Sequence, residues 1–413
     1  MSKLVEQCKR LREAARILSA ADTKKKNEAL ARVASSLREY MPTILDENQK
    51  DILKAREAGT RESLIDRLRL DEGRMNDIIQ GLYKVIELKD PVWNSNEVWT
   101  LENGLTVSKM TVPLGVIGII YESRPNVTIE AFSLALKSGN GILLRGSSTS
   151  ILSNRALVKA VKEGLRKSEI SEDVIEFVDD VDRAVVTEML TLNDYIDLVI
   201  PRGGQELIQF VVKNATVPTL ETGIGNCHLY IDESANIENA VKIAENAKIQ
   251  RPGVCNSCET LLIHEAIAPR FLQELYNCFQ GRVEMRGCDK TRKIINVMEA
   301  TEKDWQEEFL DYIIAIRIVD SVEEAIQHIQ KYGTKHSEAI LTQNLNHANL
   351  FLRQVDAAAV YVNASTRFTD GAQFGFGAEM GISTQKFHAR GPVGLKELVT
   401  VKYTVMGSGQ IRE

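Results

Sequence analysis

The chain is poor in the features that build cross-linked, fibrous or membrane-spanning proteins. Six cysteines are spread over 413 residues, too sparsely for a disulfide framework, so they read as free thiols of a reducing compartment. Nine prolines and 26 glycines exclude a low-complexity or collagen-like chain. The longest apolar stretch, 112 to 121 (VPLGVIGIIY), is interrupted by Pro113, Gly115 and Gly118 and falls well short of the ~20 residues a spanning helix needs. The first twenty residues scatter charge among their apolar positions, which is not the pattern of a secretion signal. Together these absences lead to the expectation of a soluble, cytoplasmic protein. An excess of one charge is also missing. With 51 basic and 57 acidic side chains the net charge is −6, which offers no basic footprint for nucleic acid or an anionic membrane. Any anionic ligand must therefore be held locally.

What is present is an ordinary globular composition, 44% apolar and 26% charged, long enough for two or three domains at roughly 150 residues each. Residues 1 to about 90 carry apolar positions at helical spacing (Leu4, Cys8, Leu11, Ala15, Leu18), so a helical layer is expected. At 97 to 111, VWTLENGLTVSKMTV places two β-rich runs around Glu102-Asn103-Gly104, a strong hairpin signal that predicts an element projecting from the rest. Short apolar runs then alternate with amphipathic segments. Strands are expected at Leu114 to Tyr121, Ile142 to Arg145, Val174 to Val178 and Ile196 to Ile200, with helices near 128–138, 150–166, 181–191 and 204–213. A second series runs from His228 through a helix at 235–250, then Thr260 to His264, Ile313 to Val319, Ala339 to Thr342 and Ala358 to Val362. Such alternation predicts two doubly wound α/β domains with parallel sheets.

The segment richest in chemistry is Gln250-Arg251-Pro252-Gly253-Val254-Cys255-Asn256-Ser257-Cys258-Glu259. Pro252 and Gly253 force a turn immediately before Cys255. A thiol there can be exposed near free backbone amides and beside Arg251, all of which favour the thiolate. A buried, inert cysteine is the competing reading. Cys255 and Cys258 also spell C-x-x-C, but the chain has no second pair to complete a tetrahedral zinc site, and no metal set is expected. Two turns after apolar runs could meet phosphate: Arg145-Gly146-Ser147-Ser148, and Arg202-Gly203-Gly204 opening a helix. Each alone could be a plain helix cap. As successive strand ends of one sheet they suggest a nucleotide site. A polar stretch, Asn363, Ser365, Arg367 and Asp370, precedes Gly371, Gly375 and Gly377 and suits a small polar substrate. His336 and Glu338 are candidates to orient groups at the same site.

With Cys255 on its turn and strands on both sides, the chain resembles the aldehyde dehydrogenase superfamily, and within it the branch that reduces glutamyl 5-phosphate. The segments that carry the likeness are PLGVIGIIYESRPNVT (113–128), SGNGILLRGSS (138–148), PRGGQELI (201–208), GNCHLYID (225–232), NAKIQRPGVCNSCETLLIH (246–264), YVNASTRFTDGAQFGFGAEMGIST (361–384) and HARGPVGL (388–395). The resemblance implies an aldehyde-dehydrogenase-like α/β fold with a cofactor domain at 1–96 and 113–227 and a catalytic domain at 228–384. It also implies an oligomerisation element at 97–112 and 385–413, and hence a homo-oligomer. The implied activity is NADPH-dependent reduction of L-glutamyl 5-phosphate to the semialdehyde in proline biosynthesis, with a functional link to a glutamate 5-kinase. Cys255 matches the nucleophile, Gly203 and Gly204 the turn facing the pyrophosphate, and Arg145 and Ser147 the contacts to the adenosine ribose.

Asn126 is the candidate oxyanion donor, although ESRP precedes it where hydrolytic members have a short aromatic-Asn motif. Glu221 lies near their general base, but ETGIGNCH departs from that motif and Glu221 is given no role. Arg124 and Arg367 are the candidates for the substrate carboxylate. The run 145–150 holds an arginine and hydroxyls with no carboxylate, which favours NADPH over NADH. Hydrolytic or CoA-acylating aldehyde dehydrogenases, and a cysteine acyltransferase without nicotinamide, remain the alternatives.

Overall fold

The computed structural model describes residues 2–412. The helical periodicity of the N-terminal layer folds as helices Lys3–Leu18, Thr23–Glu57, Glu62–Leu68 and Glu72–Glu87. Three of them start where a short polar side chain takes up an orphan amide: Ser2 accepts from Val5 N, Asp22 from Lys25 N and Asp71 from Arg74 N. Leu4, Cys8, Leu11 and Ala15 form one buried stripe of the first helix. Burial of one such leucine is worth roughly 1.5–3 kcal/mol, and a charge at Leu11 would remove the stripe's centre.

The hairpin forms as expected. Strand β1 (Ser95–Thr100) pairs antiparallel with β2 (Thr106–Pro113), and Gly104 takes a φ of 84° in the turn, a conformation open to glycine at little cost. Next come β3 (Val116–Tyr121), β4 (Gly141–Arg145), β5 (Ile175–Phe177) and β6 (Leu198–Arg202). They make a parallel sheet in the order β5-β4-β3-β6. The crossover helices are Asn126–Lys137, Ile151–Arg166 and Arg183–Met189. Because β4 and β6 lie on opposite sides of β3, the winding reverses at β3, and a crevice opens beyond the carboxyl ends of these three strands. On one face of this sheet Val116, Ile120, Leu143 and Val199 pack against the first helix's stripe.

The second series gives β7 (Cys227–Ile231), β8 (Cys258–His264), β9 (Glu284–Gly287), β10 (Met298–Glu299), β11 (Ile313–Val319), β12 (Ser337–Leu341) and β13 (Ala359–Val362). These make a seven-stranded parallel sheet, β10-β9-β11-β8-β7-β12-β13. Alternation along the strands supplies both faces. Leu229, Ile231, Leu261 and Ile263 meet helices Ile237–Ile249 and Ala268–Phe279. Tyr230, Leu262 and Ile340 meet helices Val322–Tyr332 and Leu345–Gln354. A small pair follows, β14 (Ile382–Ser383) with β15 (Gly391–Pro392). Last, β16 (Val399–Met406) returns to pair with β2 along eight residues.

The chain divides into two compact units. One comprises the chain up to Glu221 together with Gly375–Gly381 and the stretch from Val393 onward, and it contains the four-stranded sheet and the β1-β2-β16 sheet. The other comprises Thr222–Phe374 and Ile382–Pro392 and contains the seven-stranded sheet.

Candidate active site

In the first unit the carboxyl ends of β3, β4 and β6 converge. Arg145 ends β4, half-buried, and one guanidinium nitrogen donates to Val181 O at 3.0 Å. Its Nε is buried with no hydrogen-bond partner among the described residues. Burial pulls the Arg145 pKa below the ordinary guanidinium range, with Asp180 opposing. Gly146 follows because nothing larger fits: a Cβ there would stand 2.2 Å from Asn154 Nδ2. Behind it a buried polar chain runs from the Tyr121 hydroxyl to Thr128 (2.7 Å), on to Asn154 (3.2 Å), and from Asn154 Nδ2 to Ser150 (3.1 Å). Ser147 accepts from Thr149 N as a short cap, and Ser148 is exposed. The Ser123 and Thr149 hydroxyls, 3.2 Å apart, tie the end of β3 to the end of β4.

At the end of β6, Gly203 and Gly204 lead into helix Gln205–Asn214, whose start has no side-chain cap. The carboxylate of Glu122, the residue after β3, fills that role: Gly204 N donates to it at 2.9 Å, and a Cβ on Gly203 would meet it at 2.5 Å. Glu122 N in turn donates to Arg202 O at 3.1 Å. The sequence reading missed Glu122. The signal that could have found it is its place directly after the central strand of a parallel sheet. Arg124 lies half-buried in the turn that follows. Asn126 is the first residue of the next helix, and its amide donates to Glu130 one turn on at 2.8 Å.

In the second unit the chain leaves helix Ile237–Ile249, turns through Pro252 and Gly253, and enters β8. Cys255 sits on this turn, half-buried, at the amino edge of the sheet. Its neighbours in thiol chemistry are closed off. Cys258 is fully buried and stands in register with Cys227 of β7, and burial pushes both thiols well above their ordinary range. The loop rests on backbone: a Cβ at Gly225 would lie 1.4 Å from Cys255 O, so only glycine admits the contact. Gly225 N donates to Glu308 at 2.7 Å, and the Cys227 thiol donates to Cys255 O at 3.2 Å.

Asn256 fastens the same loop to the stretch after β13. Its Nδ2 donates to Thr369 O at 2.9 Å, and its carbonyl accepts from the Thr366 hydroxyl at 2.7 Å. Arg367 donates to the Asn256 side-chain oxygen and, through Nε, to Gln250 at 2.8 Å. Burial pulls the Arg367 pKa down and Arg251 adds to this, while Cys255 and Asp370 oppose it. Cys255 is thus a half-exposed thiol within electrostatic reach of the Arg367 guanidinium.

Of the residues singled out after β13, the structure brings Arg367 to the Cys255 loop and keeps Asn363 away. Asn363, with φ 56°, stands at the carboxyl edge of the sheet, where its side chain accepts from Thr342 N and donates to Thr342 O, both at 2.8 Å. Ser365 is buried and accepts from Arg367 N at 3.3 Å. Glu338 is buried and accepts from both the backbone N and Nδ1 of His228 (2.7 and 3.0 Å). His336 Nδ1 lies 2.8 Å from the Ser337 hydroxyl and 3.7 Å from the Cys227 thiol.

The aldehyde dehydrogenase family profile matches residues 4–291. A gamma-glutamyl phosphate reductase of Alkaliphilus oremlandii is 67% identical over the full length of both chains. The crystal structure of gamma-glutamyl phosphate reductase from Thermotoga maritima superposes with a TM-score of 0.96 at 55% identity, again covering both chains completely. The chain belongs to the gamma-glutamyl phosphate reductase family. An acetylating aldehyde dehydrogenase from Geobacillus thermoglucosidasius, at 17% identity and a TM-score of 0.74, shares the fold. The fold is therefore aldehyde-dehydrogenase-like, as the sequence segments around Cys255 implied. No helix among the described residues is long and apolar enough to cross a membrane.

Proposed function

We propose that this chain catalyses the NADPH-dependent reduction of L-glutamyl 5-phosphate to L-glutamate 5-semialdehyde with release of phosphate, as an enzyme of cytoplasmic proline biosynthesis. The observation that carries the chemistry is Cys255: half-exposed on a loop gripped by Gly225 and Asn256, while Cys227 and Cys258 are sealed. Its thiolate attacks the γ-carbonyl carbon, the bond from that carbon to the phosphate oxygen breaks, and phosphate leaves a thioester on Cys255. The nicotinamide cofactor supplies the hydride that reduces this carbonyl. The resulting thiohemiacetal oxyanion collapses, the C–S bond breaks, and the aldehyde and thiolate separate.

Buried, unpartnered Arg145 Nε and the bare backbone at Gly146 fit a phosphorylated ribose, which supports NADPH over NADH. Gly146, Ser147 and Ser148 would line that contact, with Arg202, Gly203 and Gly204 facing the diphosphate; for this, the Gly204 amide must exchange Glu122 for the ligand. Arg124 and Arg367 are the proposed carboxylate contacts, Asn126 the proposed oxyanion donor, and Ser365 a support of the substrate loop. Acyl phosphates are made by kinases, so a glutamate 5-kinase is the proposed supplier.

The β1-β2-β16 sheet exposes Trp99, Val401, Tyr403 and Val405 on one face and Val98 and Met406 on the other, and both its outer strands have a free edge. A patch of this kind suits association, and copies of this chain are its proposed occupants. The function is tested by the reverse reaction. Semialdehyde oxidation should require both phosphate and NADP. Oxidation that proceeds as well with water or CoA, or without any nicotinamide, overturns the reading.

A further inference from the structure

Lys248 and Glu259 form an ion pair, 2.5 Å from Nζ to Oε2, with both side chains 0% exposed. Lys248 is in the last turn of helix Ile237–Ile249, and Glu259 is the second residue of β8. The pair therefore clasps the base of the loop that carries Cys255. Its other oxygen reaches further: Glu259 Oε1 accepts from Leu310 N at 3.2 Å, and Leu310 takes a left-handed φ of 53°. Phe309 beside it lies between two cations, with Lys248 Nζ 6.0 Å and Arg286 Cζ 5.3 Å from its ring centroid. One residue earlier, Glu308 accepts the Gly225 amide, and Gly225 is the seat of the Cys255 carbonyl.

A buried ion pair is a poor way to gain stability, because desolvation of both charges offsets their attraction and a well-packed apolar pair does as well or better. Burial raises the Glu259 carboxyl while Lys248 beside it pulls it back down. A charged pair does give one geometry where an apolar contact admits several. We infer that Lys248, Glu259 and Glu308 are positioning residues for Cys255, holding the base of its loop and the Gly225 seat in one register. The inference rests on Cys255 being the nucleophile.

The test uses the full-length protein and the variants Lys248→Met/Glu259→Leu and Glu308→Ala. Three quantities are read: kcat and KM for the semialdehyde with NADP and phosphate, the rate of Cys255 alkylation by iodoacetamide against pH, and the melting temperature. The double variant should melt within a few degrees of the wild type. It should lose ten-fold or more in kcat with KM changed less than two-fold, and its alkylation midpoint should move. The reversed pair Lys248→Glu/Glu259→Lys should recover part of kcat. A folded double variant with wild-type kcat and alkylation profile overturns the inference. If that variant does not fold, Glu308→Ala decides: the same kcat loss and shifted alkylation support the inference, and wild-type values overturn it. Activity surviving Cys255→Ala instead defeats the underlying reading, whatever the ion pair does.

Discussion

Replacing His328 with phenylalanine should flatten the acid side of this protein's stability profile. The imidazole is 4% exposed. It is enclosed by His228, Trp305 and Tyr332 at ring distances of 5.4, 5.5 and 4.5 Å, and neither nitrogen has a hydrogen-bond partner among the described residues. Burial, then repulsion from His228, Arg317 and Lys331, pushes its pKa down to about 2. In the unfolded chain the same imidazole takes up a proton near pH 6.5. Below that pH the unfolded state binds a proton that the folded state refuses, so folding loses stability as pH falls, by about 1.4 kcal/mol per pH unit. Integration gives a penalty of about 0.2 kcal/mol at pH 7 and about 2 kcal/mol at pH 5. Phenylalanine keeps the ring and removes the proton site. Urea unfolding of both proteins at the two pH values isolates the residue, because every other group titrates in both. The wild type should lose about 2 kcal/mol more than His328→Phe between pH 7 and pH 5. Equal losses, or a larger loss in the variant, would show that His328 accepts a proton inside the fold and refute the reasoning.

Three further outcomes follow from the two units. At neutral pH iodoacetamide should label Cys255 well ahead of Cys227 and Cys258, as peptide mass spectrometry would show, and Cys255→Ala should abolish turnover while Cys258→Ala does not; equal labelling rates would contradict the burial difference. Gly225→Ala forces its backbone and that of Cys255 apart by about 2 Å to reach ordinary contact at 3.4 Å. A misplacement of even 1 Å at a reacting group costs on the order of 10²-fold, so kcat should fall at least that far, and retained kcat would disprove the seat. Arg145→Ala should weaken NADPH about ten-fold or more and move the ratio of kcat/KM towards NADH; an unmoved ratio would take the 2′-phosphate away from Arg145.

Most strands were legible because each is a short apolar run bounded by turn residues, and β11 (Ile313–Val319) coincides with its expected span. The hairpin was legible from Asn103-Gly104, since the turn's backbone demand is local. Cys255 was legible for the same reason: Pro252 and Gly253 announce the turn that bears it. What escaped depends on distant parts of the chain. Glu122 reaches Gly204 only because β3 and β6 are neighbours. Asn363 is close in sequence to Arg367, yet the chain doubles back after β13, so the two serve opposite edges of one sheet. Nothing local to Lys248 or Glu259 signals that both are buried.

The return of Val399–Met406 to Thr106–Pro113 bears on how the protein is made. On the ribosome, β2 emerges long before its partner, and Asn140 waits equally long for the Leu398 carbonyl that its side chain binds at 2.8 Å. During that interval the nascent chain carries a β-ribbon whose β2 edge has a row of unsatisfied amides and carbonyls, a state prone to cross-pairing between neighbouring polysomal chains. Closure of this sheet therefore waits until β16 has been made, and long-range closure of this kind is slow.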